Sequence, residues 1–305
     1  MDVIPPLTGA SPSITDAMLT SSTVAESEAQ WVSGATYVLG AVRRGPSGPY
    51  QHRLFESLQP NNMNHPVTDT EWWLDIGPSN RWAMFDLLRN TGTVGVSPLV
   101  VEITPGRRIN AVGLAGIVAD DIVVEAIVGG VVVKTLTQNL STRVVADWYQ
   151  YFFAEFTFLQ EVAFFGLPPD TSAMVRVTAT RAAGDVTIGA LIIGTAVFLG
   201  DVEPSAEDDA QNFSKINRDD FGNVELIPRR SLPRTNQVLW AEKGVVATAR
   251  AVRDILNAVP AMWVGLADPD HPYFASLLIL GIYIRFTIKL DYEEMVRIDL
   301  ELEET

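Results

Sequence analysis

The sequence predicts a mainly β protein with three parts: a small three-stranded aromatic module, a β-sandwich of the jelly-roll or galactose-binding type, and a C-terminal α+β domain with one clear helix. Short β-branched and aromatic runs, separated by Gly and Pro turns, fill much of the chain up to residue 200. A clear helical apolar period occurs in one segment, residues 244–259. The 305 residues are 47% hydrophobic and 19% charged, which suffices for more than one core.

Residues 1–30 are rich in Ser, Thr and Pro and show no sustained apolar period. We therefore expect an extended N-terminal arm or adaptor segment, with a frayed terminus as the alternative. The backbone of such an arm would be unpaired and available to a neighbouring protein. Deletion of residues 1–25 is then expected to spare folding.

Residues 31–80 are expected to form the small β module, because their aromatic runs are cut by Gly and Pro. Exposed flat rings stack on the apolar faces of sugars, whereas a module this small also needs rings for its core. Neighbours on a strand point to opposite faces, so only one of the adjacent tryptophans is expected to be fully buried. The candidate carbohydrate-binding residues are Tyr37, Trp72 and Trp73, and a core role is the alternative.

Residues 81–200 carry the pattern of a β-sandwich. Two β-branched runs flank Gly129 and Gly130, and a two-residue glycine loop supplies the positive φ angles of a tight hairpin. The aromatic-rich residues 148–158 and two later β-branched runs are expected to add further strands. Several short strands with turns between them predict one sheet packed on another.

Residues 201–225 are expected to form an acidic linker, because they carry many carboxylates and few large apolar residues. The α+β domain, residues 226–305, follows. Its helix is expected over residues 244–259, where Pro260 ends it.

A hairpin is expected near the C-terminus, because apolar and polar residues alternate along two segments. The apolar positions of the two strands are Ile282, Ile284, Phe286, Ile288 and Leu290, then Val296, Ile298, Leu300 and Leu302. Each strand is therefore expected to bury one face and expose the other.

The charge balance and the absence of cysteine exclude several function classes. A net charge of −15 argues against nucleic acid as a partner, since binding a polyanion needs a basic surface. Without cysteine there are no disulfides, thiolate zinc sites or cysteine nucleophiles. Lys and Arg are absent before Arg43, so a secretory signal is not expected, and the longest apolar runs are too short for a membrane span.

The sequence contains none of the common nucleotide, metalloprotease or hydrolase motifs. Its three histidines lack metal-ligand spacing, and residues 268–271 are expected to form a turn rather than a cation site. We therefore expect no catalytic, cofactor or metal residues and no enzymatic activity. A carboxylate pair contributed by distant strands stays open as an alternative.

A spaced aromatic and glycine motif occurs at the start of the module: Trp31, Gly34, Tyr37, Gly40 and Val42, followed by Leu54-Phe55 and Trp72-Trp73. This pattern resembles the small chitin-binding carbohydrate-binding modules of family 5/12. An insert, GPSGPYQH, departs from it between the first two strands. The resemblance implies glycan binding by residues 31–80, with a host surface glycan as the ligand.

A second set of motifs extends along the rest of the chain: GPSNRWAMFD, WYQYFF, DDFGN, PAMWVG, LILGIYIRFTI and LELEE. Their order resembles a family of tailed-bacteriophage virion proteins. The resemblance implies a non-enzymatic tail-tip or baseplate protein, connected to fibres or to the host surface. It also implies other tail proteins as partners, several copies in the virion, and assembly in the host cytoplasm. A free cell-surface carbohydrate-binding protein and a tail-borne polysaccharide depolymerase are the alternatives.

Overall fold

The computed structural model describes residues 1–9, 11–142, 147–153, 157–218, 221–266, 268, 271–290 and 293–305. Within these ranges the chain is mainly β, with 47% of residues in strands and 9% in helices, as the sequence predicts. None of the described helices is long and apolar enough to cross a bilayer.

Most of the strands are short, although three near the C-terminus have ten or twelve residues, and the strand pairs are antiparallel. Those before residue 80 are β1 (Asp2–Ile4), β2 (Leu19–Ser22), β3 (Thr36–Tyr37), β4 (Val42–Arg44), β5 (Arg53–Ser57), β6 (Asn62–Met63) and β7 (Trp73–Pro78). Next, up to residue 200, come β8 (Thr93–Gly95), β9 (Leu99–Ile103), β10 (Ala111–Ala115), β11 (Asp121–Val128), β12 (Val131–Asn139), β13 (Ser141–Thr142), helix α1 (Trp148–Phe153), β14 (Thr157–Phe158), β15 (Glu161–Phe165), β16 (Met174–Thr180), β17 (Val186–Ile188), β18 (Ala190–Gly194) and β19 (Val197–Phe198).

The remaining elements follow residue 200. They are β20 (Asp201–Val202), β21 (Glu207–Asn212), β22 (Lys215–Arg218), β23 (Val224–Ile227), β24 (Ser231–Glu242), helix α2 (Val246–Ile255), β25 (Ala261–Val264), β26 (Leu278–Lys289) and β27 (Met295–Glu304). Short 3-10 turns occur at Ala83–Phe85, Lys243–Val245 and Ala275–Leu277.

In the aromatic module, β4, β5 and β7 form a three-stranded sheet, and β3 pairs with β6. Its small core consists of Tyr37, Phe55, Val67 and Trp73. The module contacts the sandwich through His52, whose ring stacks on Trp82 at a centroid distance of 3.7 Å.

A two-sheet sandwich forms the next part of the molecule, as predicted. The five-stranded sheet β12–β11–β16–β9–β2 packs on the three-stranded sheet β15–β10–β18. The apolar face of β16 contributes Val175 and Val177, because alternate residues of a strand share a face. The glycine hairpin is confirmed: Gly129 and Gly130 both have positive φ and join β11 to β12.

The three-stranded sheet is buried on both faces. Val112 and Leu114 of β10 face the five-stranded sheet, whereas Ala111 and Ala115 face a large sheet of order β19–β1–β25–β26–β27–β24–β20. Gly113 lies on the second face, where an added Cβ would sit 3.0 Å from the side chain of Met262. Small residues on this face of β10 therefore allow the sheets to pack closely.

Helix α2 covers the outer face of the large sheet. Ala249 and Val252 are buried and belong to the same core cluster as Trp263 and Ile298. The predicted helix is confirmed as α2 together with the 3-10 turn before it, but it ends at Ile255 rather than at Pro260. The stack is thus five-stranded sheet, three-stranded sheet, large sheet and helix.

The predicted C-terminal hairpin is confirmed as β26 and β27, with one difference. A β-bulge between Tyr283 and Arg285 shifts the register of β26 by one residue. This shift turns Ile284 outward and brings Tyr283 to the core, because a slip of one residue exchanges the two faces of a strand. The expectation that Ile282 and Ile284 continue the buried face of Phe286 is therefore wrong. Leu290 is also exposed, because it lies beyond the end of β26 at Lys289.

The expectation of a free N-terminal arm is also wrong. β1 pairs with β19 on one side and β25 on the other, and Val3 and Ile4 are fully buried. The amino group of Met1 donates a hydrogen bond to the carbonyl of Gly200. Later in the same segment, β2 forms an edge of the five-stranded sheet. Strands of three or four residues are too short to show a period, so the sequence pattern missed them.

The acidic segment after residue 200 is not an irregular linker, because it forms strands. β21 pairs with β24, and β22 pairs with β23. Glu207, Asp208 and Asp209 occupy exposed positions of β21, so the strand forms without burying their carboxylates. Asp219 and Asp220 lie outside the described residues, as does Asp291 of the hairpin pattern.

Replacement of Ile4 by Ala is expected to lower the free energy of unfolding by about 2 to 5 kcal/mol, because it leaves a cavity between two sheets. Ile255→Ala, at an exposed position of α2, is the control and should change it by less than about 0.5 kcal/mol. Urea denaturation measures both. A chain lacking residues 1–25 that unfolds like the full chain would contradict this role of β1.

Candidate functional site

Two of the three predicted sugar-binding residues lie in the core of the aromatic module. Tyr37 is 5% exposed and Trp73 is 2% exposed, and their rings pack edge to face with centroids 5.2 Å apart. The indole nitrogen of Trp73 donates to the carbonyl of His65 at 3.0 Å. The hydroxyl of Tyr37 accepts from the amide of Val32 at 2.7 Å. Neither ring presents a face on which a sugar could stack.

Trp72 is half-buried and keeps part of its ring at the surface. His65 stacks on it at 3.8 Å between centroids, and the imidazole Nδ1 of His65 lies 3.0 Å from a carboxylate oxygen of Asp69. One ring face is thus covered by a neighbouring side chain. Of the three candidates, Trp72 alone retains surface for a glycan.

Residues 148–153 form helix α1 rather than the expected strand. It lies in sequence between β13 and β14, which pair with each other. Asp147 precedes the helix, and its Oδ1 accepts a hydrogen bond from the amide of Gln150 at 2.7 Å. Such a cap satisfies a free amide of the first turn, so it offsets the β-propensity of the aromatic residues.

All five aromatic side chains of α1 point outward, with exposed fractions between 52% and 79%: Trp148, Tyr149, Tyr151, Phe152 and Phe153. Trp148 and Tyr149 contact Phe152 and Phe153 one turn later, with ring centroids 6.5 and 5.0 Å apart. At 100° per residue the rings cover an arc of roughly 200°. This arc is wider than the stripe by which an ordinary surface helix faces its core.

A second projecting element is the ribbon, which we define as strands β22 and β23 with their connection. Ile216 lies opposite Leu226 and shares a face with Val224, and all three side chains are more than half exposed. The opposite face is mostly polar, and there the amide of Asn217 donates to Glu225 at 3.2 Å. A two-stranded hairpin is marginally stable by itself in water, so an exposed apolar face on one indicates a partner.

A charged cleft lies where the sandwich meets the large sheet. It has a volume of about 330 Å³ and contains Arg89 between two carboxylates. Arg89 Nη1 lies 3.3 Å from Glu161 of β15 and also contacts Glu304 of β27. Arg230 contacts the second oxygen of Glu304, which is buried. Two guanidinium groups thus compensate the burial of this carboxylate.

Burial raises the pKa of Glu161 to about 7, although Arg89 acts in the opposite direction; Glu304 adds a further increase. Glu161 can therefore take up or release a proton near neutral pH. The sequence could not reveal this pair, because its members lie on strands far apart in the chain. Arg89 contacts both carboxylates, so these ion pairs link the three-stranded sheet, which contains Glu161, to the large sheet, which contains Glu304.

The residues that the structure describes contain no cluster of three or more His, Asp or Glu side chains that could hold a metal ion. At the predicted turn, the amide of His271 donates to the carbonyl of Asp268 at 3.2 Å. Pro269 and Asp270 of that segment lie outside the described residues.

Truncation of the core rings should separate packing from binding in the aromatic module. Trp73→Ala and Tyr37→Ala are each expected to lower the unfolding free energy of the module by about 3 to 5 kcal/mol. Trp72→Ala should change it much less, and only this variant should weaken binding of a chitin oligosaccharide if the module binds one. Urea denaturation and calorimetric titration measure the two effects. A Trp73→Ala chain with unchanged stability would contradict the core assignment.

The pKa of Glu161 predicts a pH-dependent stability. Because its folded pKa is raised from 4.5, its contribution is fully present below pH 4.5 and is lost as the pH rises through 7. Glu161→Gln should remove this loss and raise the unfolding free energy at pH 8 by up to about 3 kcal/mol. Thermal melts from pH 4.5 to 8 test this, with Glu71→Gln at an exposed carboxylate as the control. Parallel profiles for wild type and Glu161→Gln would contradict it.

Comparison with known proteins does not assign the chain to a family. No family model matches it, and no curated protein matches it. The resemblances to carbohydrate-binding modules and to phage tail proteins therefore stay predictions from sequence motifs. The features of the described surface that bear on function are the two projecting apolar elements, the half-buried Trp72 and the charged cleft.

Proposed function

We propose that this protein is a structural, non-enzymatic subunit of a bacteriophage tail, at the tail tip or baseplate. The observation that carries the proposal is the outward orientation of apolar side chains on two projecting elements, helix α1 and the ribbon. Apolar surface of this kind is costly in water and marks contact with other proteins. A subunit of a permanent assembly keeps such surface covered.

The edge of the five-stranded sheet supports the same function. β12 is the last strand of that sheet, and the side chains of Val131, Val132 and Val133 are largely exposed on it. An exposed β-branched edge is a template for pairing with another chain, and isolated proteins usually protect such edges. A neighbouring subunit would supply that protection.

The resemblance of the sequence motifs to tail proteins supports a tail as the assembly. One of the motifs that resemble tail proteins, WYQYFF, forms α1, and the described part of another, Phe221 to Asn223 of DDFGN, precedes β23 of the ribbon. The motif PAMWVG includes β25, which is buried. The motifs behind the resemblance thus lie both in the core and at the surface of this chain.

Glycan binding by the aromatic module is the second candidate function, and Trp72 is the observation that favours it. A single half-buried ring with one covered face offers less stacking surface than a platform of several rings. Contact with a host surface glycan is therefore an accessory function in this proposal.

The proposal is tested by incorporation into particles of the phage that encodes the chain. Mass spectrometry of purified virions should find the protein in a fixed ratio to the other tail proteins. The double variant Ile216→Ser and Leu226→Ser, on the ribbon, should reduce incorporation at least tenfold without changing thermal stability.

Val38→Ser, at an exposed apolar position away from both elements, is the control and should incorporate normally. Absence of the protein from virions would overturn the proposal. Release of reducing ends from host polysaccharide by the purified chain, lost in Glu161→Gln, would also overturn it in favour of a depolymerase.

A further inference from the structure

We propose that His52 is a pH-sensitive switch between the aromatic module and the sandwich. Its imidazolium form holds the module against the sandwich, and its neutral form weakens this contact so that the module changes its orientation. The inference goes beyond the proposed function and does not depend on it, because the contact is formed within one copy of the chain.

His52 belongs to the module, whereas the groups around its ring belong to the side of the sandwich. It lies directly before β5, a strand of the module. Its ring stacks on Trp82, a buried residue of the sandwich core, with centroids 3.7 Å apart. Asp16 and Glu26 come from the N-terminal segment, which also supplies Ile14 to this core. One imidazole thus spans the boundary between the two parts.

Each nitrogen of the His52 ring faces a carboxylate. Nε2 lies 2.9 and 3.0 Å from the two oxygens of Asp16, and Nδ1 lies 3.9 Å from Oε1 of Glu26. Nδ1 is buried and has no hydrogen-bond partner among the described residues. A neutral ring that donates from Nε2 points the lone pair of Nδ1 at Glu26, whereas an imidazolium presents an N–H to both carboxylates. The arrangement therefore fits the protonated ring.

The other groups at this contact keep Glu26 ionised. Its Oε1 accepts a hydrogen bond from the hydroxyl of Ser79 at 3.1 Å and lies 3.5 Å from a guanidinium nitrogen of Arg44 in β4. Burial acts to raise the pKa of Glu26, but these partners together with His52 outweigh burial and hold that pKa below its ordinary value of 4.5. A negative charge therefore faces the ring throughout the range in which the imidazole titrates.

The surrounding charges also favour the proton on the ring. Burial acts to lower the pKa of His52, but Glu26 and Asp16 outweigh burial, so the pKa lies above its ordinary value of 6.5. The next residue along the chain, Arg53, is paired with Asp75 inside the module at 2.6 Å. Because the folded pKa is raised, the contribution of His52 to the contact is complete below pH 6.5 and is lost as the pH rises through the folded pKa.

The two parts can move relative to each other because each has its own core. The core clusters of the module and of the sandwich are separate, so a change of orientation does not require either core to open. Polar contacts such as those of His52 and Arg44 hold the parts in place. A hydrogen bond with a charged partner is roughly twice as strong as a neutral one, so the loss of one proton weakens this contact substantially.

The first measurement is an NMR titration of the histidine ring protons in the full chain. The chain has three histidines, so His65→Gln and His271→Gln identify the signals of wild-type His52 by elimination. The pKa of His52 should lie above 6.5. A value at or below 6.5 would overturn the proposal, and this test does not require a variant of His52 to fold.

The second measurement follows the orientation of the module between two nitroxide labels, attached through Val38→Cys in the module and Val131→Cys on β12. Both positions are exposed, and the natural chain has no cysteine. Electron paramagnetic resonance should give a narrow distribution of label-to-label distances at pH 5.5 and a broader, shifted one at pH 8.5. The midpoint of this change should match the pKa of His52. His52→Gln should give the broad distribution at both pH values, because its amide cannot take up a proton.

The matched control is His65→Gln. His65 also stacks on a tryptophan and faces a carboxylate, but Trp72 and Asp69 belong to the module itself. This variant should keep the pH-dependent change, as should Glu161→Gln, which removes a second group that titrates near neutral pH.

Two results of the label experiment would overturn the proposal. One is a wild-type distribution that stays narrow from pH 5.5 to pH 8.5, and the other is a pH-dependent change that survives His52→Gln. Both measurements use the purified chain alone, so their outcome is independent of whether the protein is found in virions.

Discussion

Burial of the three-stranded sheet on both faces is the constraint on which the rest of the structure depends. β10 and β18 bury every residue, one face against the five-stranded sheet and the other against the large sheet. The large sheet in turn includes β1, so the first residues of the chain complete a surface formed mainly by the last hundred. Arg89 joins Glu161 and Glu304 beside this interface. Sandwich and C-terminal sheet therefore share one core and support each other.

This arrangement explains where the surface of the molecule is available for function. The sheets that hold the stack together bury their apolar residues, and the acidic side chains occupy exposed strand positions such as those of β21. Helix α1 and the ribbon lie outside the stack, and both carry apolar residues that contribute little to the core. Their exposure makes sense if other chains cover them, since folding alone gives no reason to keep five aromatic rings in water.

The elements that could be predicted from the sequence are those in which apolar residues recur at a regular spacing over many residues. α2 repeats at helical spacing, and β27 alternates over ten residues, so both follow from the pattern. β1 has only three residues and depends on strands distant in sequence. α1 is formed by residues of high β-propensity, and the hydrogen bond from the amide of Gln150 to Asp147 at its start is a feature that composition does not reveal. The candidate sugar-binding residues Tyr37 and Trp73 were predicted only in part for a similar reason, because composition alone does not distinguish a buried aromatic ring from an exposed one.

The proposed function makes α1 and the ribbon contacts within a tail. An electron cryomicroscopy map of the purified tail, at a resolution that shows side chains, tests it most directly. The chain should be found at the tail tip or baseplate, with the rings of α1 and the apolar face of the ribbon covered by neighbouring subunits. A tail in which both elements of the chain face solvent, or in which the chain is absent, would contradict it.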